Sequence, residues 1–278
     1  MVPISDYEIY DTRMRKSLID KAFFLDKTDA EVFVDFGCAD GALIELLATL
    51  FPEHTYIGYD NDPTMLKLAD RRIVGGPAGR ATTFTEHSWD KVKSHLHRLR
   101  DRKSCLILSS VIHEVYNYSS DHEIEEFWDQ VLNSGFDFVV VRDMARCWYE
   151  MDPITYEARE LNPPTRVDWL QAVERGCRMM GIERRLSEFE ERYGPITSER
   201  NLAHFLLKYR YSENWLRELE EDYFIASTLV ISDRFPVKDW DSIFSENFAL
   251  PFNVRQVRND FGFNFPLKTH TKMIFERK

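Results

Sequence analysis

No stretch of this chain approaches the roughly 20 consecutive apolar residues that a membrane-spanning helix needs. The N-terminal MVPISDYEIYDTRMRK carries acids where a secretion signal has an apolar core, so it does not read as one. Cysteine is sparse: the four residues lie at 38, 105, 147 and 177, with no CxxC pair. That spacing suits neither a disulfide framework nor a zinc site, and it reads as reduced thiols in a cytoplasmic protein. Internal repeats and low-complexity segments are missing. A positive excess is missing too, which excludes a uniformly basic nucleic-acid face.

What is present is ordinary for a globular chain of 278 residues: 44% hydrophobic and 30% charged, enough to bury a substantial core. The net charge of −11 is concentrated at one end. Residues 1–141 hold 15 Lys and Arg against 24 Asp and Glu, a net of −9, and the remainder is nearly balanced. Residues 142–215 are nearly neutral but dense in arginine, so a local basic groove stays open there.

Residues 7–26 read as an amphipathic helix through Ile9, Met14, Leu18, Ile19, Ala22 and Phe23. From residue 31 onward, short apolar runs alternate with helical periodicity. Strands are expected at 31–35, 55–59, 81–85, 104–110 and 136–141. Helices are expected at 42–51, near 64–72 behind Pro63, at 89–102 and at 121–133. That alternation predicts an α/β fold with a doubly wound, mostly parallel sheet. After Arg142 the pattern turns helical and charged, too long for one sheet crossover, and it reads as a helical insertion or lid. Strand character returns at 253–257 and 271–277. The expected division is 1–28 as an N-terminal helical cap, 29–145 as the sheet core, 146–222 as the insertion and 223–278 as completion of the sheet.

The most informative segment is Val34-Asp-Phe-Gly-Cys-Ala-Asp-Gly41. A strand runs into a glycine turn, where backbone approaches a ligand closely, and then into a helix. Nineteen residues past Gly41 the next strand ends in Asp60-Asn61, and an acid there can accept hydrogen bonds from both hydroxyls of a ribose. The dinucleotide fingerprint GxGxxG is absent, which weakens a nicotinamide oxidoreductase. Past the later strands come Glu86-His87-Ser88-Trp89 and Ser109-Ser110-Val-Ile-His113-Glu114. The carboxyl ends of strands face the ligand crevice in such sheets, so Ser109, Ser110, His113 and Glu114 belong near the ligand. His113, with a reference pKa near neutrality, is a candidate general base. Arg142-Asp143 follows the fifth strand and is another candidate for the acceptor side. Lys208, Tyr209, Arg210, Tyr211 and Trp215 mix cations with aromatics, as phosphate- and base-contacting surfaces do, though such aromatics also fill cores.

Asp35, Gly37, Ala39 and Gly41 resemble the first motif of the class I S-adenosylmethionine-dependent methyltransferases, an acid-x-Gly-x-Gly-x-Gly turn, with Ala39 at the middle glycine. The resemblance covers roughly residues 8–145 and the last 25. It implies a Rossmann-like core binding S-adenosylmethionine (SAM). Asp35, Gly37, Cys38, Ala39 and Gly41 would then hold the methionine and ribose portion, and Asp60 with Asn61 the ribose hydroxyls. One of Glu86, His87 and Ser88 would read the adenine, with Trp89 able to stack. Ser109 and Ser110 would lie near the cofactor, and Arg13, with Lys16 and Ser17 beside it, would pair the methionine carboxylate. His113 and Glu114 are the catalytic candidates, and Arg142, Lys208, Tyr209, Arg210 and Tyr211 the substrate candidates. No metal is implied. The Asn/Asp-Pro-Pro-Tyr/Phe motif of the amino-methylating branch is absent, which disfavours a DNA adenine or cytosine N4 enzyme. The expectation is transfer to an oxygen or carbon of a small-molecule or nucleotide acceptor. The alternatives are an RNA methyltransferase using Lys208–Trp215 and a non-catalytic SAM-binding partner subunit.

Overall fold

The computed structural model describes residues 17–75, 83–144, 166–196, 201–202, 205–209, 234–235, 238–248, 260–262 and 270–278. The chain divides into two compact units. One comprises 1–143, 230–245 and 272–278, and the other 144–229 and 246–271.

Seven strands form one sheet: β1 Val32–Phe36, β2 Thr55–Tyr59, β3 Thr83–Glu86, β4 Ser104–Ser109, β5 Phe138–Met144, β6 Trp240–Phe248 and β7 His270–Arg277. Their order is β3-β2-β1-β4-β5-β7-β6. The pairs β1·β2, β1·β4, β2·β3 and β4·β5 are parallel. Arg277 N–H donates to Asp137 O at 2.8 Å, so the end of β7 lies beside the start of β5 and runs against it. The helices between parallel strands are α2 Ala42–Leu50, α3 Pro63–Gly75, α4 Trp89–Arg98, α5 Ile112–Tyr118 and α6 Asp121–Asn133; the short α1 Leu18–Lys21 precedes β1.

Alternation along each central strand explains the layering. Val32 and Val34, Leu106 and Leu108, and Val139 and Val141 join one core cluster with Trp89, Val92, Ile112, Phe127, Trp128 and Val131. Phe33, Tyr56, Cys105, Ile107, Phe138 and Val140 join a cluster on the opposite face with Phe24, Leu43, Ile44, Leu47, Leu66 and Ile73. Period-2 geometry sends neighbours to opposite faces, and helices cover both, so the strands read as continuous apolar runs. Tyr56 also donates its hydroxyl to Leu47 O and Phe51 O, at 3.0 and 2.9 Å, closing the C-terminal carbonyls of α2.

Several expectations shift. Ile19, placed on the apolar face of the first helix, is 86% exposed. The segment after β4, for which the sequence pattern predicts no element, is helical as α5. The third strand is described at Thr83–Glu86, and residues 81–82, where its expected start falls, lie outside the described residues. The expected strand at 253–257 lies outside the described residues.

In the second unit, α7 Arg166–Met180 and α8 Glu183–Tyr193 pack with a π-helical turn at Phe205–Tyr209. Val173, Cys177, Leu186, Phe189, Leu202, Phe205 and Tyr209 form its core. Gly176 is required there: a Cβ would meet the Phe261 ring at 2.4 Å. Among the described residues, no helix is long and apolar enough to cross a membrane.

Candidate functional site

The strand order reverses beside β1, whose neighbours are β2 and β4. Loops leaving β1 and β4 there part to opposite faces and open a crevice at the carboxyl edge. The glycine turn occupies this position. Gly37 (φ +74°) and Gly41 (φ +75°) adopt the left-handed region, and Gly41 N–H donates to Cys38 O at 2.9 Å. A Cβ on Gly37 would lie 2.9 Å from Val111 Cγ2, and one on Gly41 would lie 3.0 Å from Ala69 Cβ. The missing side chains therefore let the turn settle against the β4 loop on one side and α3 on the other. Arg72 on α3 bolts the turn from outside. It donates to Asp40 O at 3.0 Å and to the Asp40 carboxylate, and pairs with Glu45 at 3.1 Å.

Ala39, at the position of the resembled motif's middle glycine, has φ +47°. An L-residue pays about 1–2 kcal/mol for this region, partly offset by its smaller unfolded-state entropy. Ala39→Gly is expected to stabilise the chain by about 0.5–1 kcal/mol, read as a rise in the urea midpoint.

Asp60 closes the turn from β2. Its carboxylate accepts the Ala39 N–H at 2.9 Å and the Asp62 N–H at 2.8 Å, and the residue is 8% exposed. Burial raises its pKa, and the backbone donors pull it down by less. The Asp60 N–H in turn donates to Glu86 O at 3.2 Å, which ties the ends of β2 and β3. Asn61 is exposed beside it. Cys38 contributes backbone: its side chain is buried against Gly58, and burial pushes its thiol pKa well up.

Asp35 is buried at the end of β1. Desolvation pushes its pKa up to about 7, the Lys21 ammonium lowers it, and the Asp60 charge raises it. Lys21, on α1, is 7% exposed, and burial lowers its pKa against the pull of Asp35. The sequence pattern pointed earlier in the chain, to Arg13, Lys16 and Ser17; Arg13 and Lys16 lie outside the described residues. Among the described residues, Lys21 sets an amine beside Asp35, four residues past Ser17, the spacing of one helical turn. The stability contribution of Asp35 is set by the direction of its shift. The folded pKa lies above the unfolded value, so this contribution is present below pH ~4 and is lost as pH rises through about 7. Asp35→Asn should flatten the decline of unfolding free energy across that window, measured by urea titration at several pH values.

Beyond β3, the Glu86 carboxylate is engaged by His95 Nε2 at 2.9 Å and Lys91 at 3.6 Å. His87 is exposed, and Ser88 caps α4 without a side-chain cap bond. Trp89 is a correction: its ring is buried among Phe36, Tyr59 and Phe136, and its Nε1–H donates to Ser134 Oγ at 3.2 Å. It is a core residue, 7% exposed.

At the end of β4, Ser109 Oγ is buried with no hydrogen-bond partner among the described residues. Ser110 has φ +59°, an unusual conformation for serine, and is held by its N–H to Arg142 O at 2.7 Å. Strain of this kind concentrates at functional sites. His113 lies on α5, with Nδ1 2.6 Å from Asp143 Oδ1. The other Asp143 oxygen accepts the Ile112 and His113 N–H groups at 2.7 and 3.3 Å, and Asp143 is 1% exposed. Glu114, the other catalytic candidate, is exposed.

Two substrate candidates take other roles. Arg142 is 2% exposed, with Nε on Asp20 at 2.7 Å and a terminal nitrogen donating to Ser110 Oγ at 3.1 Å. Lys272 pairs with the same Asp20 at 2.5 Å. An arginine so enclosed is a strut between α1 and the β4–β5 edge. Tyr209 is 6% exposed and packs on Phe189 and Tyr193 in the core of the second unit. The side chain of Lys208, and Arg210, Tyr211 and Trp215 entirely, lie outside the described residues. Among the described residues, no group of three or more His, Cys, Asp or Glu is arranged to hold a metal ion.

No protein-family model and no curated protein sequence matches the chain. Solved structures similar to it include the methyltransferase domain of bacterial CtHen1-CN, at 12% identity and TM-score 0.44, over 95% of this chain and 98% of that one. The plantazolicin methyltransferase BamL, crystallised with a triazolic desmethylPZN analog and SAH, is similar at 10% identity and TM-score 0.46, over 98% and 88%. The small RNA methyltransferase HEN1 is similar at 16% identity and TM-score 0.42, over 97% of this chain and 25% of that one. A 3-2-1-4-5-7-6 sheet, with a glycine turn after β1 and an acid at the end of β2, gives this chain the class I methyltransferase fold.

Proposed function

We propose that the chain is a SAM-dependent methyltransferase acting on an oxygen or carbon of a small-molecule or nucleotide acceptor. The observation that carries this reading is Asp60, hydrogen-bonded to the Ala39 amide so that ribose acid and glycine turn form one unit at the switch point. The residues present fit the cofactor. Gly37 and Gly41 leave backbone where a Cβ would collide, Asp60 offers carboxylate lone pairs to a ribose diol, and the buried Ser109 Oγ offers a polar atom beside them. Asp35 and Lys21 set a carboxylate and an ammonium against each other, a charge pattern suited to an amino-acid zwitterion. When bound, SAM supplies a methyl group already activated by its sulfonium. The protein's share is then to bind, align and exclude water, and to manage one proton.

The nucleic-acid alternative leaned on Lys208–Trp215. The Tyr209 ring is buried and lends it no support, and the net charge of −11 is unfavourable to a polyanion. Calorimetric titration with SAM, S-adenosylhomocysteine (SAH) and NADH tests the proposal. Binding of the first two with dissociation constants on the order of micromolar, and none of NADH, is expected. Absence of binding by either sulfur compound would overturn it.

A further inference from the structure

We propose that Asp143 is the positioning residue of a His113–Asp143 pair that takes the proton from a hydroxyl acceptor, so that the reaction at this site is O-methylation; this rests on the SAM-binding function proposed for the chain. An ionised carboxylate can only accept hydrogen bonds. Asp143 therefore receives the Nδ1–H of His113 at 2.6 Å, together with two backbone N–H groups of the same helical turn. In a neutral imidazole this arrangement assigns the lone pair to Nε2.

The pair is rigid on both sides. Asp143 is a residue of β5, one past Arg142, whose backbone carbonyl accepts the Ser110 N–H. His113 stands in the first turn of α5, which starts directly behind Val111, the residue packed on Gly37. The imidazole is therefore three residues from the strained Ser110 and next to the glycine turn, at the carboxyl edge where the ligand crevice opens.

A thiol ionises far more readily than an alcohol, and an amine in its neutral form attacks through a free lone pair. An alcohol must lose its proton as the new bond forms and gains most from a fixed base. In the proposed step the acceptor oxygen forms a bond to the methyl carbon. The carbon–sulfur bond breaks with its electron pair going to sulfur, and the hydroxyl proton passes to Nε2 of His113. The sulfonium charge is lost and an imidazolium charge appears beside Asp143, which is placed to hold it.

The test uses the full chain and has two readouts. Nitrogen-15 NMR of the SAH complex should show His113 protonated at Nδ1 in the neutral ring, and Asp143→Asn should shift it toward the Nε2-protonated tautomer. Tritium transfer from labelled SAM is then followed to hydroxyl probes (catechol, adenosine, 4-nitrophenol), an amine probe (benzylamine) and a thiol probe (thiophenol). Label is expected in a hydroxyl probe only. Asp143→Asn, and His113→Asn as the variant less exposed to folding defects, should lower kcat by roughly 10²–10³-fold while the KM for SAM moves by less than about threefold. Label confined to the amine or thiol probe, label in no hydroxyl probe while SAH binds, an unchanged rate in both variants, or an Nε2-protonated His113 in the native chain would each overturn the inference. A chain that fails to bind SAH at all would instead sink the cofactor reading.

Discussion

Asp60→Ala should weaken SAH binding at least ~100-fold and leave the folded state intact or slightly more stable. The two effects share one cause. A carboxylate accepting hydrogen bonds from two ribose hydroxyls is worth about 1.5–3 kcal/mol per bond, and 100-fold corresponds to about 2.7 kcal/mol. Against that, burial already raises the pKa of Asp60 in the folded chain, so the native structure holds this charge against its preference. Truncation relieves that desolvation, while the Ala39 and Asp62 amides lose an acceptor. Asp60→Asn keeps the volume but turns one acceptor oxygen into a donor, and its affinity should fall between the two. Calorimetry for affinity and urea denaturation for stability separate the outcomes. Undiminished SAH affinity in Asp60→Ala would remove this residue from the ribose site.

Arg142→Ala should behave the opposite way, with stability bearing the loss. The guanidinium lies 2% exposed between Asp20 and Ser110. Removing one member of a buried pair leaves the other uncompensated, at about 3–5 kcal/mol. Lys272 still reaches Asp20 at 2.5 Å, so the low end of that range applies to the charge, with lost packing of the stem added. A fall in Tm of roughly 6–15 °C is expected from such a change in a chain of this size. A variant of native stability that had lost only activity would return Arg142 to the acceptor side of the site.

The sheet core was legible in the sequence because both devices that specify it are local. β1, β2, β4 and β5 announce themselves as apolar runs, since helices cover both of their faces. The turn from Gly37 to Gly41 announces itself because left-handed backbone favours glycine. Side chains that meet across large sequence separations were not legible. Asp143 stands 30 residues from His113, and Arg142 stands 122 from Asp20. Neither partner is marked by spacing, and a lone arginine after a strand looks the same whether it faces ligand or neighbour. Lys21 was missed for another reason: within a helical pattern a lysine reads as solvated, and only tertiary packing buries it beside Asp35. Trp89 and Tyr209 were overread because aromatic rings serve cores and ligands with the same chemistry.

The position of β7 has a consequence for how the chain is made. This strand lies between β5 and β6, yet it is formed by residues 270–277, which are synthesised after both of them. Until they emerge, the outer edge of β5 stays open in the growing polypeptide, with backbone groups ready to pair with any extended segment nearby. The Asp20 clasp on Lys272 waits for the same residues. Every earlier element of the sheet must therefore persist half-finished until β7 is made, and removal of β7 would leave a sheet with an exposed seam in its interior.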